Sequence, residues 1–179
     1  MRIAFFDSGI GGLTVLHQAK KLMPQEDYLY YADTDHVPYG RKTKEEIRQY
    51  VQEAVDFIAA QDVKALVVAC NTATSVAIQS LRARYRFPIL GMEPAVKPAV
   101  KHAVISKRVL VTATPVTLRE QKMQDLLLQV DQNHKTDLLP LPKLVELAEQ
   151  GCFGDGQAEE YLRELLHGVD LAQYCTVVL

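Results

Sequence analysis

Cys70 closes the apolar run Ala65-Leu66-Val67-Val68-Ala69, and Asn71 and Thr72 follow it at once. A thiol and two hydrogen-bonding side chains therefore stand where a buried element meets water. No nearby histidine could pair with the thiol as a hydrolase nucleophile, and Val76 stands where a cysteine phosphatase would carry its arginine. A helix starting after the strand would favour the thiolate by at most about 1 kcal/mol, against a free thiol pKa near ~8.5. The expectation is a modestly activated, water-accessible thiol able to remove a proton from carbon. The competing reading is a small buried apolar residue, the commoner state of a free cysteine.

Other apolar runs also end on chemistry. Phe5-Phe6-Asp7-Ser8-Gly9-Ile10-Gly11-Gly12 is neither a P-loop nor a dinucleotide fingerprint, because Leu13 and Thr14 follow Gly12 and the glycines are too close together. Gly9 also occupies the place where an aspartyl phosphatase would have its second acid. Asp7 and Ser8 are expected to cap a helix beginning near Gly11, a role compatible with ligand binding. Asp33 opens a polar loop that ends in Pro38-Tyr39-Gly40, a turn-like sequence. His36 has no evident partner and is assigned to the surface or to loop packing. Thr112 to Thr117 form a further polar strand end.

These ends need a scaffold. Runs at 2–7, 28–33, 65–70, 87–93, 108–114 and 175–179 read as nearly continuous apolar strands, the pattern of a parallel sheet covered on both faces. Between them, residues 43–60 repeat apolar side chains at three- and four-residue steps behind a Thr43/Glu46 capping box. Helices are also expected over 12–22, 72–86, 94–104, 117–130 and 157–168. Strand alternating with helix gives an α/β, doubly wound architecture whose ligands bind beyond the carboxyl ends of the strands. The proline-interrupted stretch 91–100 sets a boundary near residue 95, giving domains 1–95 and 96–179.

Composition excludes several classes. The 179 residues are 48% hydrophobic and 23% charged with a net charge of −2, and no basic block follows a phosphate backbone, so no nucleic acid is expected. No apolar run approaches the roughly 20 residues that cross a bilayer. The expectation is a cytoplasmic protein without membrane contact. Cys70, Cys152 and Cys175 form neither a disulfide framework nor a zinc pattern.

Taken together, "DSGIGGLTV", "YYADTDHVPYG", "VVACNTATSVAI" and "GMEPAVKPA" resemble the glutamate racemase family of the aspartate/glutamate racemase superfamily, in the same order and spacing from residue 3 to about 100. "VTATPVT" and "LPKLVELAEQG" extend the resemblance, with Leu141 replacing the family's usual cysteine. The resemblance implies two pseudo-symmetric α/β domains and cofactor-independent inversion of glutamate at its α-carbon, supplying D-glutamate for peptidoglycan, in a homo-oligomer, expected to be a dimer. By motif, Cys70 removes the α-proton of the D-enantiomer. Asp7 and Ser8 border the thiol and the substrate amino group, and Asp7 is assigned a proton-relay or hydrogen-bonding role. Pro38, Tyr39 and Gly40 close over the substrate, while Asn71, Thr72, Thr114 and Thr117 hold its charged groups.

The family's second cysteine follows a strand like "TVVL" in a G-C-T-H motif, and the sequence given stops at Leu179. Neither Cys152 nor Cys175 matches that position. The resemblance therefore implies a C-terminally truncated member, its second domain and the return to the first incomplete. Two alternatives stand beside this reading: another superfamily enzyme, such as an aspartate racemase or a decarboxylase-like relative, and a non-catalytic chain that binds glutamate or a protein. The Pro-Tyr-Gly loop and Cys-Asn-Thr favour glutamate.

Overall fold

Four short apolar segments, β1 (Arg2–Asp7), β2 (Tyr28–Ala32), β3 (Val63–Val68) and β4 (Ile89–Gly91), pair side by side in the computed structural model. All three pairings are parallel, in the order β2-β1-β3-β4. The structure describes residues 1–104, 106–152 and 154–179. The chain divides into two compact units, Met1–Glu93 and Pro94–Leu179.

In the first unit the connections are α1 (Leu13–Leu22), α2 (Lys44–Ala59) and α3 (Asn71–Arg84). The capping box forms: Glu46 N–H donates to Thr43 Oγ1 at 3.2 Å and Thr43 N–H to Glu46 Oε2 at 2.8 Å. It fixes the start of α2, whose buried stripe is Ile47, Val51, Ala54, Val55 and Ile58. That helix packs along α3, which buries Ala73, Ala77, Ile78 and Leu81. After β1 the chain moves outward to β2 and then returns past β1 to β3. The reversal leaves the carboxyl ends of β1 and β3 side by side, with their following segments diverging, the place where such sheets form a crevice.

The second unit holds α4 (Val96–Lys101), β5 (Arg108–Ala113), α5 (Pro115–Arg119), α6 (Gln121–Val130), β6 (Thr136–Pro140), α7 (Leu144–Glu149), α8 (Gln157–Leu166) and β7 (Tyr174–Val178). Its strands are parallel in the order β6-β5-β7, repeating the β2-β1-β3 arrangement of the first unit. Val96, Ala99, Val109, Val111, Leu118, Met123 and Val178 make its core. At the amino ends of its strands, Arg108 donates Nε and Nη2 to Asp137 at 2.5 and 2.6 Å, and the Tyr174 hydroxyl donates to the same carboxylate at 2.8 Å. One side chain from each strand thereby clips the sheet in register. The bond from Arg108, ahead of other causes, holds the Asp137 carboxyl below the usual range.

Three sequence expectations change. The helix expected over 117–130 is two helices, because Glu120 is extended (φ −64°, ψ 138°) between α5 and α6. Segments β6 and α7 were absent from the expected elements: β6 is an edge strand with polar Thr136 and Asp137 in its first half, and α7 is only 6 residues long. Leu66 lies fully buried at the centre of β3. Leu66→Ala is expected to lower unfolding free energy by about 2–5 kcal/mol, read as a fall in the urea midpoint with an unchanged slope.

Candidate active site

Strand β1 delivers Asp7 and Ser8 to the reversal point, and the turn after them is tied down on each side. Asp7 Oδ1 accepts from Gly9 N–H at 2.8 Å, the Tyr30 hydroxyl donates to Gly9 O at 2.7 Å, and Asp33 N–H donates to Asp7 O at 3.0 Å. Gly12 allows this turn to lie against the end of β3. A Cβ there would stand 2.8 Å from Asp7 Cβ and 2.9 Å from Ala69 Cβ, closer than carbon atoms tolerate. The expected capping role is corrected by this geometry. Helix α1 has Gly12 at its N-cap with no side-chain cap, and Asp7 Oδ1 instead accepts from Gly9 N–H in the turn before it.

Strand β3 runs out through Ala69, whose N–H donates to Phe6 O at 2.8 Å, to Cys70 at the N-cap of α3. This continuation of the β1–β3 ladder brings Cys70 Sγ to 3.5 Å from Ser8 Oγ, while Ala73 N–H donates to the sulfur at 3.4 Å. Asn71 and Thr72 form the first turn of α3, Thr72 being buried.

The thiol is not the water-accessible, activated group expected from its place before a helix. Cys70 is 7% exposed. Burial first, and the negative charge of Asp7 second, push its pKa up to about 11, with Ala73 N–H and the Ser8 hydroxyl drawing it partly back. Desolvation here outweighs the helix terminus, whose effect is about 1 kcal/mol or less. At pH 8 a thiol with that pKa is ionised on the order of one time in a thousand.

The Asp33 to Gly40 loop contributes a second cluster. The Tyr39 hydroxyl donates to Asp33 Oδ2 at 2.6 Å, and His36 Nδ1 lies 2.7 Å from Asp33 Oδ1. Tyr39 is buried within a 3-10 turn, Tyr39–Arg41, preceded by Pro38. Desolvation first, then the bond and charge of Asp33, raise the Tyr39 pKa well above its ordinary value, with Cys70 a weaker contributor. His36 thus has a partner that its neighbours in sequence did not advertise. Asp33, His36, Tyr30 and Gly12 bond to or pack against these segments, and sequence reasoning did not name them as site residues. The spacing Asp33-x-x-His36-x-x-Tyr39 was the available signal.

Thr114 and Thr117 belong to the second unit. Thr114 caps α5, its Oγ1 accepting from Thr117 N–H at 3.2 Å and lying 3.0 Å from Thr117 Oγ1. Thr112 Oγ1 donates to Val178 O at 2.8 Å, tying β5 to β7 at the second sheet's own reversal point. Cys175 is exposed at the start of β7, and its sulfur donates to Arg108 O at 3.4 Å. Among the described residues, no group of three or more His, Cys, Asp or Glu side chains could hold a metal ion.

Comparison with known proteins decides the family. The sequence model of Asp/Glu/Hydantoin racemases matches residues 14–170. The chain belongs to this racemase family. It is 52% identical over 180 aligned residues to "Glutamate racemase 2" of Bacillus subtilis, covering all of this chain and 68% of that one. It is 54% identical to a glutamate racemase of Halothermothrix orenii, again over its full length and 70% of the relative. A solved glutamate racemase of Escherichia coli, in complex with L-glutamate and an activator, UDP-MurNAc-ala, superposes with a TM-score of 0.88 at 30% identity, covering 99% of this chain and 68% of that structure. The family's members are racemases, and the α/β architecture with mainly parallel sheets is theirs.

The electrostatics give a direct test. Thiolate absorbance lost in Cys70→Ser should titrate near pH 11, and Asp7→Asn should lower that midpoint by removing the adjacent negative charge. Because folding raises this pKa, the corresponding stability is complete below the ordinary thiol pKa near ~8.5 and is lost as pH rises through about 11.

Proposed function

We infer that this protein interconverts L- and D-glutamate without a cofactor, by proton removal and return on opposite faces of the α-carbon, supplying D-glutamate for peptidoglycan. The observation that carries this reading is the Cys70 sulfur held 3.5 Å from Ser8 Oγ at the β1/β3 reversal. The racemase relatives, and the solved relative with L-glutamate, support the substrate.

In this reading Cys70, as thiolate, takes the α-proton of D-glutamate and the C–H electron pair stays on carbon. The resulting charge spreads into the substrate carboxylate, so donors must already face it. Ser8, Asn71 and Thr72 supply such donors. Pro38, Tyr39 and Gly40 cover the substrate. Since the Tyr39 hydroxyl is committed to Asp33, this turn acts through its backbone and its bulk. Asp7 faces the substrate ammonium and holds hydrogen bonds at the reacting centre. A bound ammonium offsets the Asp7 charge that raises the thiol pKa, so binding itself favours the thiolate. Inversion requires that a second acid return the proton to the opposite face.

The unpaired cysteines fit a reducing, cytoplasmic compartment, and the absence of a basic block in the sequence fits a protein without a nucleic-acid partner. Self-association as a dimer is part of the same reading. Sedimentation should give a dimer mass at micromolar concentration, and a monomer at all concentrations would remove that part.

The principal test is α-proton exchange in D₂O followed by NMR. The 179-residue chain should wash deuterium into D-glutamate faster than into L-glutamate, and Cys70→Ser should abolish it. Equal exchange by Cys70→Ser would sink the assignment. Running aspartate in the same assay separates the alternative substrate, which the family as a whole admits.

A further inference from the structure

Asp33 is a buried carboxylate, 7% exposed, with both oxygens engaged. Oδ2 accepts from the hydroxyl of Tyr39, itself 1% exposed, and Oδ1 faces His36 Nδ1 at 2.7 Å. An ionised carboxylate can only accept, so His36 Nδ1 carries the proton and donates. The imidazole is in turn fixed by stacking on Tyr50 of α2, with ring centroids 3.7 Å apart and an interplanar angle of 12°. His36 N–H also donates to Asp33 O at 3.2 Å, so the two residues are joined through backbone and side chain. A single chain of contacts thus runs from a rigid helix, through an imidazole and a buried carboxylate, to the turn assigned to cover the substrate.

We propose that His36 is a positioning residue for the Tyr39–Gly40 turn, acting through Asp33. This rests on the glutamate-binding role assigned to that turn. Without His36, Oδ1 of a buried carboxylate loses its charge-assisted partner, and Asp33 can rotate toward other donors or take up water, releasing the Tyr39 hydroxyl. The tyrosine ring then loses its polar anchor and the turn its fixed height above the strand ends. The sulfur meets Ser8 Oγ and Ala73 N–H, and Asp33 reaches this side of the site through its backbone N–H on Asp7 O, which a change at the His36 side chain leaves in place. The effect therefore falls on substrate binding and not on the proton transfer itself.

The experiment compares His36→Ala, His36→Asn and His36→Phe in the full chain, with two readouts. In the exchange assay, His36→Ala should raise KM for D-glutamate by about fivefold or more while kcat stays within about twofold, the loss of one charge-assisted hydrogen bond. His36→Asn, whose amide can still donate to Asp33, should recover most of the loss. A merely structural role would lower stability without moving KM of the folded fraction. The second readout needs no substrate: NMR of tyrosine labelled at Cζ, with the Tyr39 signal identified by its absence in Tyr39→Phe. That signal should shift in His36→Ala and stay in place in His36→Asn. If His36→Ala fails to fold, His36→Phe, whose ring can still stack on Tyr50 but cannot donate to Asp33, should move the signal in the same direction. An unmoved Tyr39 signal, or His36→Asn behaving like His36→Ala, overturns the proposal. If the unsubstituted chain neither exchanges nor binds glutamate, the functional reading fails, and the tyrosine signal alone decides the positioning claim.

Discussion

The parallel pairing of β1 with β3 is the constraint on which the proposed catalytic arrangement depends. Its register sets Phe6 opposite Val68, and Ala69 N–H extends the ladder by one bond to Phe6 O. Two residues beyond that pair on each path, Ser8 and Cys70 meet side chain to side chain. Because side chains alternate along a strand, a slip of one residue would turn the thiol to the other face of the sheet. The contact also needs space, and Gly12 is the residue that leaves it. Catalytic geometry here is a consequence of backbone pairing far more than of any side-chain attraction, since a thiol–hydroxyl contact at 3.5 Å is weak by itself.

This arrangement has an electrostatic cost that the proposed chemistry uses. A buried thiol beside Asp7 is held protonated, with a pKa near 11. A free thiolate at this position would be a standing liability to oxidation and alkylation. A cation placed next to Asp7 would offset the second of these causes, so in the proposed chemistry amino-acid binding favours the base relative to the empty site. Cofactor-independent racemisation demands this economy, because an amino-acid α-hydrogen is a weak acid and the whole stabilisation must come from groups already in place.

Much of this was legible from residues alone. The apolar runs ending at Asp7, Asp33 and Cys70 revealed strands and chemistry together, because a parallel strand covered on both faces cannot hide its pattern. The capping box at Thr43 and Glu46 was equally plain. Edge strand β6 was not, since Thr136 and Asp137 dilute its apolar signal, and the break at Glu120 was masked by apolar periodicity that continues across it. At the candidate site, the ends of β1 and β3 were readable as neighbours, but the buried state of the thiol was not. Whether a cysteine at a strand end is wet or dry depends on how closely two other segments approach, and here the turn around Gly12 buries it. The bond from Tyr39 to Asp33 spans a loop whose path no periodicity encodes.

The central claim is that the Cys70 sulfur takes the α-hydrogen of D-glutamate as a proton. Its most direct measurement is the loss of label from α-deuterated D-glutamate in ordinary water, timed against exchange of the protiated substrate in D₂O. The account predicts that label is lost to solvent, that its loss is several-fold slower than that of protium, and that none is lost with Cys70→Ser. Retention of the deuterium at the α-carbon, or loss at the same rate without the thiol, would contradict it.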